Sequence, residues 1–358
     1  MSKSFLARFA NKSGIDPDTA YVITTAPNRL YATDFQSSAG VVVIKGDNAV
    51  FLVDGRYFEA AKRAVTSMDV RRITGFSDDL KTILRKLGAS SVCFEANITV
   101  AELKCYKDLL DSFRVEADEK LTQTLSDLRL KKQPYELERI KTAQHISEAA
   151  YDHILKFITP EKTEIDVALE LEFFMRRHGA HSAAFEVIAL AGTNGSVPHG
   201  VPGDKLLCCG EFLTLDFGAE YMGYRSDMTR TVAIGSADEY MREVYDVVLA
   251  AQQAAIGAMK ANVAVCEIDK AARSLISDAG FGHCFIHSTG HGVGIEIHES
   301  PALGEKSKEF LCVGSVVTAE PGIYIEGQLG VRIEDILYIS ESGCENLTHA
   351  DKKLTIIN

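Results

Sequence analysis

The chain has 358 residues, too many for one typical domain and comfortable for two. With 46% apolar and 25% charged residues it can bury a large core without disulfides or a structural metal, so any metal it carries serves chemistry rather than folding. A net charge of −12, with no clustered run of Lys and Arg, excludes a phosphate-tracking stripe and nucleic acid as a partner.

Residues 1–14 carry basic side chains but no apolar stretch of secretory length, and no segment approaches the roughly 20 apolar residues of a membrane span. The eight cysteines form no CxxC pair and no zinc-finger spacing. These features predict a reduced, cytoplasmic protein with no membrane partner. In chain order, strands are expected over 22–25 and 40–53, the second folded into a hairpin at Gly46-Asp47-Asn48. Helices follow over 57–65 and 78–87, then a strand over 91–95 and a helix over 101–113. This is a small α/β domain, taken as residues 1–122.

A polar stretch over 118–133 leads to Pro134, which suits the first turn of a helix. That helix runs to about residue 157, with Leu137, Ile140, Ala143, Ile146, Ala150 and Ile154 on one stripe. Another begins at Thr163, whose hydroxyl pairs with Asp166 in a capping-box arrangement, and Gly179 ends it. Two further helices fall at 239–260 and 267–279. The β-rich segments between and after them carry most of the His and acidic motifs. Residues 123–358 therefore read as an α+β domain, helices on an antiparallel sheet, with two helices and a hairpin occurring twice in weak symmetry.

The hairpins bring carboxylates together. Strands over 212–218 and 224–232 place Asp216 and Asp227 equidistant from the turn between residues 221 and 222, so a regular turn makes them direct cross-strand partners. Strands over 315–320 and 331–339 do the same for Glu320 and Glu334 about Gly327, although Pro321 lacks an N–H and can shift the register. A single strand carboxylate is usually a solvated outward residue. Two mirrored pairs in apolar surroundings, LTLDFG and VVTAEPG, need a cation between them. His287-Ser-Thr-Gly-His291-Gly-Val-Gly and His298 supply imidazole, and the glycines at 290, 292 and 294 argue against a helix there. His145, His153 and His178 read instead as ordinary hydrogen-bonded histidines. His199, on a loop after Gly195, is placed for a substrate contact.

Four carboxylates and one imidazole carry a charge that two divalent cations neutralise. Oxygen-rich ligation of this kind suits Mn²⁺ first, with Co²⁺ or Zn²⁺ as alternatives. Two such ions lower the pKa of a bridging water, and that is hydrolase chemistry.

The segments LTLDFGAEYMGYRSDMTRT, HSTGHGVGIEIHESP, VVTAEPGIY and GVRIED resemble the motifs of the pita-bread metallopeptidases, in the branch of Xaa-Pro aminopeptidases and Xaa-Pro dipeptidases (prolidases). PNRLYATDF and FLVDGRYFEAA resemble the creatinase-like N-terminal domain of the same proteins, so the likeness spans essentially the whole chain. It implies that Asp216 ligates one metal, that His291 and Glu320 hold the second, and that Asp227 and Glu334 bridge. Glu320 would also accept the proton of the attacking water. His199 and His298 would bind substrate and act on the tetrahedral intermediate. His287 would line the site, and Tyr324 and Arg332 would orient substrate. The implied substrates are proline-containing peptides, and the implied assembly is a homodimer. One departure is that Asp34 stands where the family usually has Gly, and Ala32 where it has Leu.

Aminopeptidase action is the first expectation and dipeptidase the alternative, since a dipeptidase needs a group for the free carboxylate. Methionine aminopeptidase shares the ligand order, but the extra N-terminal domain and the contexts of His199 and His298 stand against it. Creatinase lacks the metal ligands that are all filled here. A non-catalytic binding relative is the reading from a different class, and bound metal with turnover discriminates against it.

Overall fold

The computed structural model describes residues 5–12 and 14–357, so residues 1–4 and 13 of the stretch considered for a leader lie outside the described residues. Two compact units, Met1–Arg129 and Leu130–Asn358, are present.

The first unit runs α1 (Phe5–Ala10), β1 (Thr19–Ile23), α2 (Ala26–Thr33), β2 (Val41–Lys45), β3 (Asn48–Val53), α3 (Phe58–Ala64), β4 (Asp69–Arg72), α4 (Phe76–Lys86), β5 (Ser91–Glu95), α5 (Val100–Leu109), β6 (Arg114–Asp118) and α6 (Glu119–Leu130). Its six strands form one mixed sheet in the order β4-β3-β2-β1-β5-β6. The expected hairpin is there, β2 pairing antiparallel with β3 across Gly46 at φ 56°. The two edge strands, β4 and β6, escape the sequence pattern because they read DVRR and RVEAD. Charged residues on an exposed edge keep it from pairing with other chains and also erase its hydrophobic signature. The polar stretch over 118–133 is largely helix α6, whose buried Leu121, Leu125 and Leu128 keep helical spacing among Lys, Gln and Ser.

The second unit continues with α7 (Pro134–Phe157), α8 (Glu164–Arg177), β7 (Ser182–Ala183), β8 (Ile188–Ala191), β9 (Phe212–Phe217), β10 (Ala219–Tyr221), β11 (Tyr224–Arg225), β12 (Met228–Ile234), α9 (Glu239–Ala258), α10 (Val265–Asp278), β13 (Gly290–Gly292), β14 (Glu299–Leu303), β15 (Val316–Ala319), β16 (Gly322–Ile325), β17 (Leu329–Arg332), β18 (Asp335–Ile339), β19 (Cys344–Asn346) and β20 (Ile356–Ile357). Pro134 opens α7, and the Thr163 hydroxyl with Asp166 forms the capping box of α8. In one half, α7 and α8 pack Ala143, Ala150, Val167 and Leu171 against Leu213, Leu215 and Phe217 of β9. In the other, α9 and α10 pack Val248, Ala251, Ile268 and Ala272 against Val317, Val331 and Leu337.

The sheets follow the same division, β20-β12-β9-β8 in one half and β14-β13-β15-β18-β19 in the other. An antiparallel bridge between Thr229 and Glu334 joins them. It is this bridge that sets the carboxylates of one hairpin against those of the other. Among the described residues no helix is long and apolar enough to cross a membrane, and the cysteines are unpaired.

Candidate metal centre

Every residue of β9 is buried, so alternation sends Leu215 and Phe217 into the helix-covered core and Asp216 to the opposite face. The hairpin register differs from the sequence expectation. Asp216 lies opposite Thr229, not Asp227. The cause is a two-residue turn at Met222-Gly223, both with positive φ (47° and 80°), which moves the centre one residue along. Asp227 therefore sits two positions before Thr229, on the same face as Asp216 and diagonal to it. In the second hairpin Ala319 opposes Asp335 and Gly322 opposes Arg332, so the register is centred on Gly327 on both sides of Pro321. Glu320 and Glu334 occupy the mirrored positions between.

His291 lies on β13, between two glycines with no room for a side chain. A Cβ on Gly290 would meet the Thr318 carbonyl at 2.3 Å, and one on Gly292 the Ser300 carbonyl at 2.3 Å. The backbone N–H of His291 donates to Thr318 Oγ1 at 3.0 Å, and that hydroxyl donates to Glu320 Oε1 at 3.2 Å. Nδ1 of His291 lies 3.1 Å from the Gly292 carbonyl, which can only accept, so Nδ1 keeps its proton and Nε2 is the nitrogen that can give up its own to a cation. Nε2 is 3.2 Å from Glu320 Oε1 and 3.6 Å from Asp227 Oδ2. One ligand atom from each of Asp227, His291 and Glu334 falls within 4.8 Å of the others.

The electrostatics of this cluster are those of negative charge gathered out of water. Burial, then the charge of Asp216, raises the Asp227 carboxyl well above its ordinary range. Burial, then Asp227 and Glu320, does the same to Glu334. Burial also opposes ionisation of Glu320, but the hydrogen bond and charge of His291 outweigh it and hold this carboxyl at about 2. For His291, burial pulls the imidazole down, while the hydrogen bond and charge of Glu320 prevail and lift it to about 9. Two buried oxygens, Asp216 Oδ1 and Glu334 Oε1, have no hydrogen-bond partner, whereas the other oxygen of each is engaged. Arg332 Nη2 donates to Asp216 Oδ2, and Thr229 Oγ1 donates to Glu334 Oε2 at 2.7 Å. Unpartnered carboxylate oxygens beside an imidazole whose Nε2 is freed on losing its proton are a donor set suited to divalent cations.

All ten site residues expected from the sequence line one cavity of about 1070 Å³. Arg332 is buried and already committed: Nη1 donates to Tyr324 Oη at 2.6 Å and Nε to Thr229 Oγ1 at 3.2 Å. Tyr324 Oη in turn is 2.9 Å from His287 Nε2. His287 Nδ1 faces the Ser288 carbonyl at 2.8 Å, so the phenol donates to Nε2. Burial holds the Tyr324 phenol up at about 12 and pulls the His287 imidazole down, so both are neutral near pH 7. The His298 ring lies 4.3 Å from that of His291, and burial followed by the charge of His291 lowers its pKa. His199 reaches the cavity from the loop after β8. Thr229, which donates to Glu334 and accepts from Arg332, was missed in the sequence reading. Its only signal is its place two residues after Asp227 on the same strand face.

Helix pairs laid over two joined sheets, with carboxylates and an imidazole converging where the sheets meet, define a pita-bread metallopeptidase. The comparisons agree. The model of metallopeptidase family M24 matches residues 138–341, and that of the creatinase/prolidase N-terminal domain matches residues 6–131. The chain is 35% identical over 351 residues to an Xaa-Pro dipeptidase of Pyrococcus furiosus, covering 98% of each. A solved Xaa-Pro dipeptidase from Bacillus anthracis superposes with a TM-score of 0.92 at 38% identity, covering 98% of each chain. An X-Pro aminopeptidase from Thermotoga maritima does so at 0.89 and 32%, covering 95% of this chain and 97% of that one. The chain belongs to metallopeptidase family M24, among the Xaa-Pro aminopeptidases and dipeptidases, and it carries their creatinase-type N-terminal domain.

Proposed function

We propose that this enzyme hydrolyses the bond between the N-terminal residue and a following proline, using two divalent cations, Mn²⁺ first among them. The observation that carries the reading is the pair of buried, unpartnered oxygens on Asp216 and Glu334 within the carboxylate cluster. Asp216 would hold one ion, His291 and Glu320 the other, and Asp227 and Glu334 would serve both. Ions held there would supply Lewis acidity, lowering the pKa of the attacking water and offsetting charge that builds on the substrate carbonyl.

The chain's own residues supply the rest. Glu320 accepts the proton of the attacking water. His199 and His298 face the substrate, and one of them donates a proton to the leaving proline nitrogen, which has no N–H of its own. The chain from Arg332 through Tyr324 to His287 orients Asp216 and walls the site.

Two observations favour an aminopeptidase over a dipeptidase. The cavity of about 1070 Å³ lies at the top of the roughly 300–1,000 Å³ usual for small-molecule sites, leaving room beyond two residues. Arg332 is buried and spends three of its five N–H donors on Asp216, Tyr324 and Thr229, so it is poorly placed to take the carboxylate of a free dipeptide. The dipeptidase reading keeps its own support, the likeness to the Xaa-Pro dipeptidases of Pyrococcus furiosus and Bacillus anthracis. Rates on Xaa-Pro against Xaa-Pro-Yaa-Zaa, with Mn²⁺, Co²⁺ and Zn²⁺, decide between them, and activity confined to dipeptides would reverse our preference. We further take the enzyme to be a cytoplasmic homodimer, a state that analytical ultracentrifugation tests.

The metal assignment has its own test. Asp227→Asn and Glu334→Gln are each expected to abolish turnover and lower the Mn²⁺ bound per chain, because each removes a shared ligand. Near wild-type turnover in either variant would contradict it. His298→Ala should retain the metal and lower kcat instead.

A further inference from the structure

We propose that Glu164 is a positioning residue for His199, fastening both ends of the loop that carries it. Glu164 is the first residue of α8, and its side chain is fully buried. Its carboxylate accepts from the Ala191 N–H at 2.7 Å, from Asn194 Nδ2 at 3.1 Å on each oxygen, and from the Gly203 N–H at 3.2 Å. These donors stand at the start, the near part and the end of one segment, 191–203, with His199 between them. The backbone adds to the seam, Ile165 N–H donating to the Gly203 carbonyl at 3.1 Å.

A buried carboxylate is costly unless its lone pairs are filled, and here amide donors from a single loop fill them. An apolar residue would pack α8 as well, but it would let go of the loop. Inside the segment, Val197 N–H donates to the Asn194 carbonyl at 3.0 Å and Gly200 N–H to the Val197 carbonyl at 3.1 Å, while Pro198 and Pro202 fix φ on either side of His199. The imidazole itself is exposed, and among the described residues no side chain hydrogen-bonds to it. Its location is therefore inherited from the backbone that Glu164 holds. None of the five metal-ligand candidates is among the hydrogen-bond partners of Glu164, so the fastening and the metal cluster are separable.

The inference rests on the reading that His199 meets substrate, and the test separates the two. Glu164→Gln preserves volume but sets an amide donor against loop donors. It is expected to lower kcat/KM on an Xaa-Pro peptide about tenfold, because a misplacement on the order of 1 Å costs that much or more. Mn²⁺ affinity by calorimetry should not change, and amide exchange over 191–203 should speed up. In a His199→Ala background the same substitution should cost nothing further, since its effect passes through His199. An equal loss in both backgrounds, or a parallel fall in Mn²⁺ affinity, overturns the proposal. If Glu164→Gln does not fold, Asn194→Ala, an exposed site, must show the same pattern with a smaller loss. Should the wild type cleave no Xaa-Pro peptide, the functional reading fails on its own, and unchanged exchange over 191–203 in the variant would still overturn the fastening.

Discussion

Asp34 ends α2 at φ 54° and ψ 28°, in the left-handed region that a Cβ makes costly for most residues. The likeness to the creatinase-type domain placed a glycine there, and the geometry explains why: glycine enters that region without penalty. Aspartate is among the side chains that tolerate it. Asp34→Gly is therefore expected to leave the N-terminal unit as stable as before or slightly more so, and Asp34→Val to cost about 1–2 kcal/mol. Urea unfolding at constant m-value measures both, and a Val variant as stable as wild type would mean the left-handed turn is not kept in solution. A second residue-scale prediction concerns Asp335. It is fully buried and accepts from Arg230 at 2.8 Å, Gln252 at 3.0 Å, Asn346 at 2.8 Å and Lys352 at 2.6 Å. Arg230 also donates to the Glu334 carbonyl at 2.6 Å, so this knot braces a ligand candidate from behind. Asp335→Asn leaves a buried guanidinium without its counter-charge and should cost about 3–5 kcal/mol of stability. A cost below about 1 kcal/mol, measured by the same titration, would contradict that account. Neither Arg230 nor Asp335 was legible as a pair in the sequence, where they stand 105 positions apart.

At the scale of elements, legibility followed the strength of local chemistry. The start of α7 at Pro134 and the capping box at Thr163 were readable because the signal is carried within four residues. Edge strands β4 and β6 were not, because charge on an edge mimics a loop. The two hairpins show how finely register depends on the turn. Gly327, at φ 68°, centres the second hairpin where the sequence placed it. In the first, β10 and β11 extend the ladder to a tight Met222-Gly223 turn, so counting from a longer loop over 219–223 misplaced the partner of Asp216 by two residues. Both aspartates still share a face, because a shift of two preserves side-chain direction and a shift of one would not. This hairpin closes tightly at Gly218, where a Cβ would lie 2.0 Å from the Ser226 carbonyl. Gly218→Ala must push that strand away and carry Asp227 with it. We expect the variant to fold but to bind less Mn²⁺ per chain and to lose most of its turnover, although no ligand has been removed. Full metal content in this variant, by elemental analysis, would show that the hairpin does not set the ligand spacing.

Across the whole molecule, the two units should respond differently to metal, since the ligand candidates all lie in the second. Without a cation, burial and the neighbouring carboxylates raise Asp227 and Glu334 above their ordinary range. A carboxyl raised on folding contributes stability that is fully present below its unfolded pKa of about 4 and is lost as the pH climbs through the folded value. The chelated catalytic unit should accordingly weaken as the pH rises above about 4, the side on which these groups are forced to ionise together. A divalent cation reverses the sign of that interaction, because it needs both carboxylates ionised and releases any protons they hold. At 100 times its dissociation constant it adds about 2.7 kcal/mol. Calorimetric scans of chelated and Mn²⁺-loaded protein should therefore show a metal-dependent rise in the Tm of the second unit that is larger at pH 7.5 than at pH 5.5, while the N-terminal unit melts unchanged. In Asp227→Asn the rise should shrink and its pH dependence should weaken, because one of the two linked protons is gone. An equal rise at both pH values in the wild type would mean that these carboxylates are not the groups the metal displaces protons from.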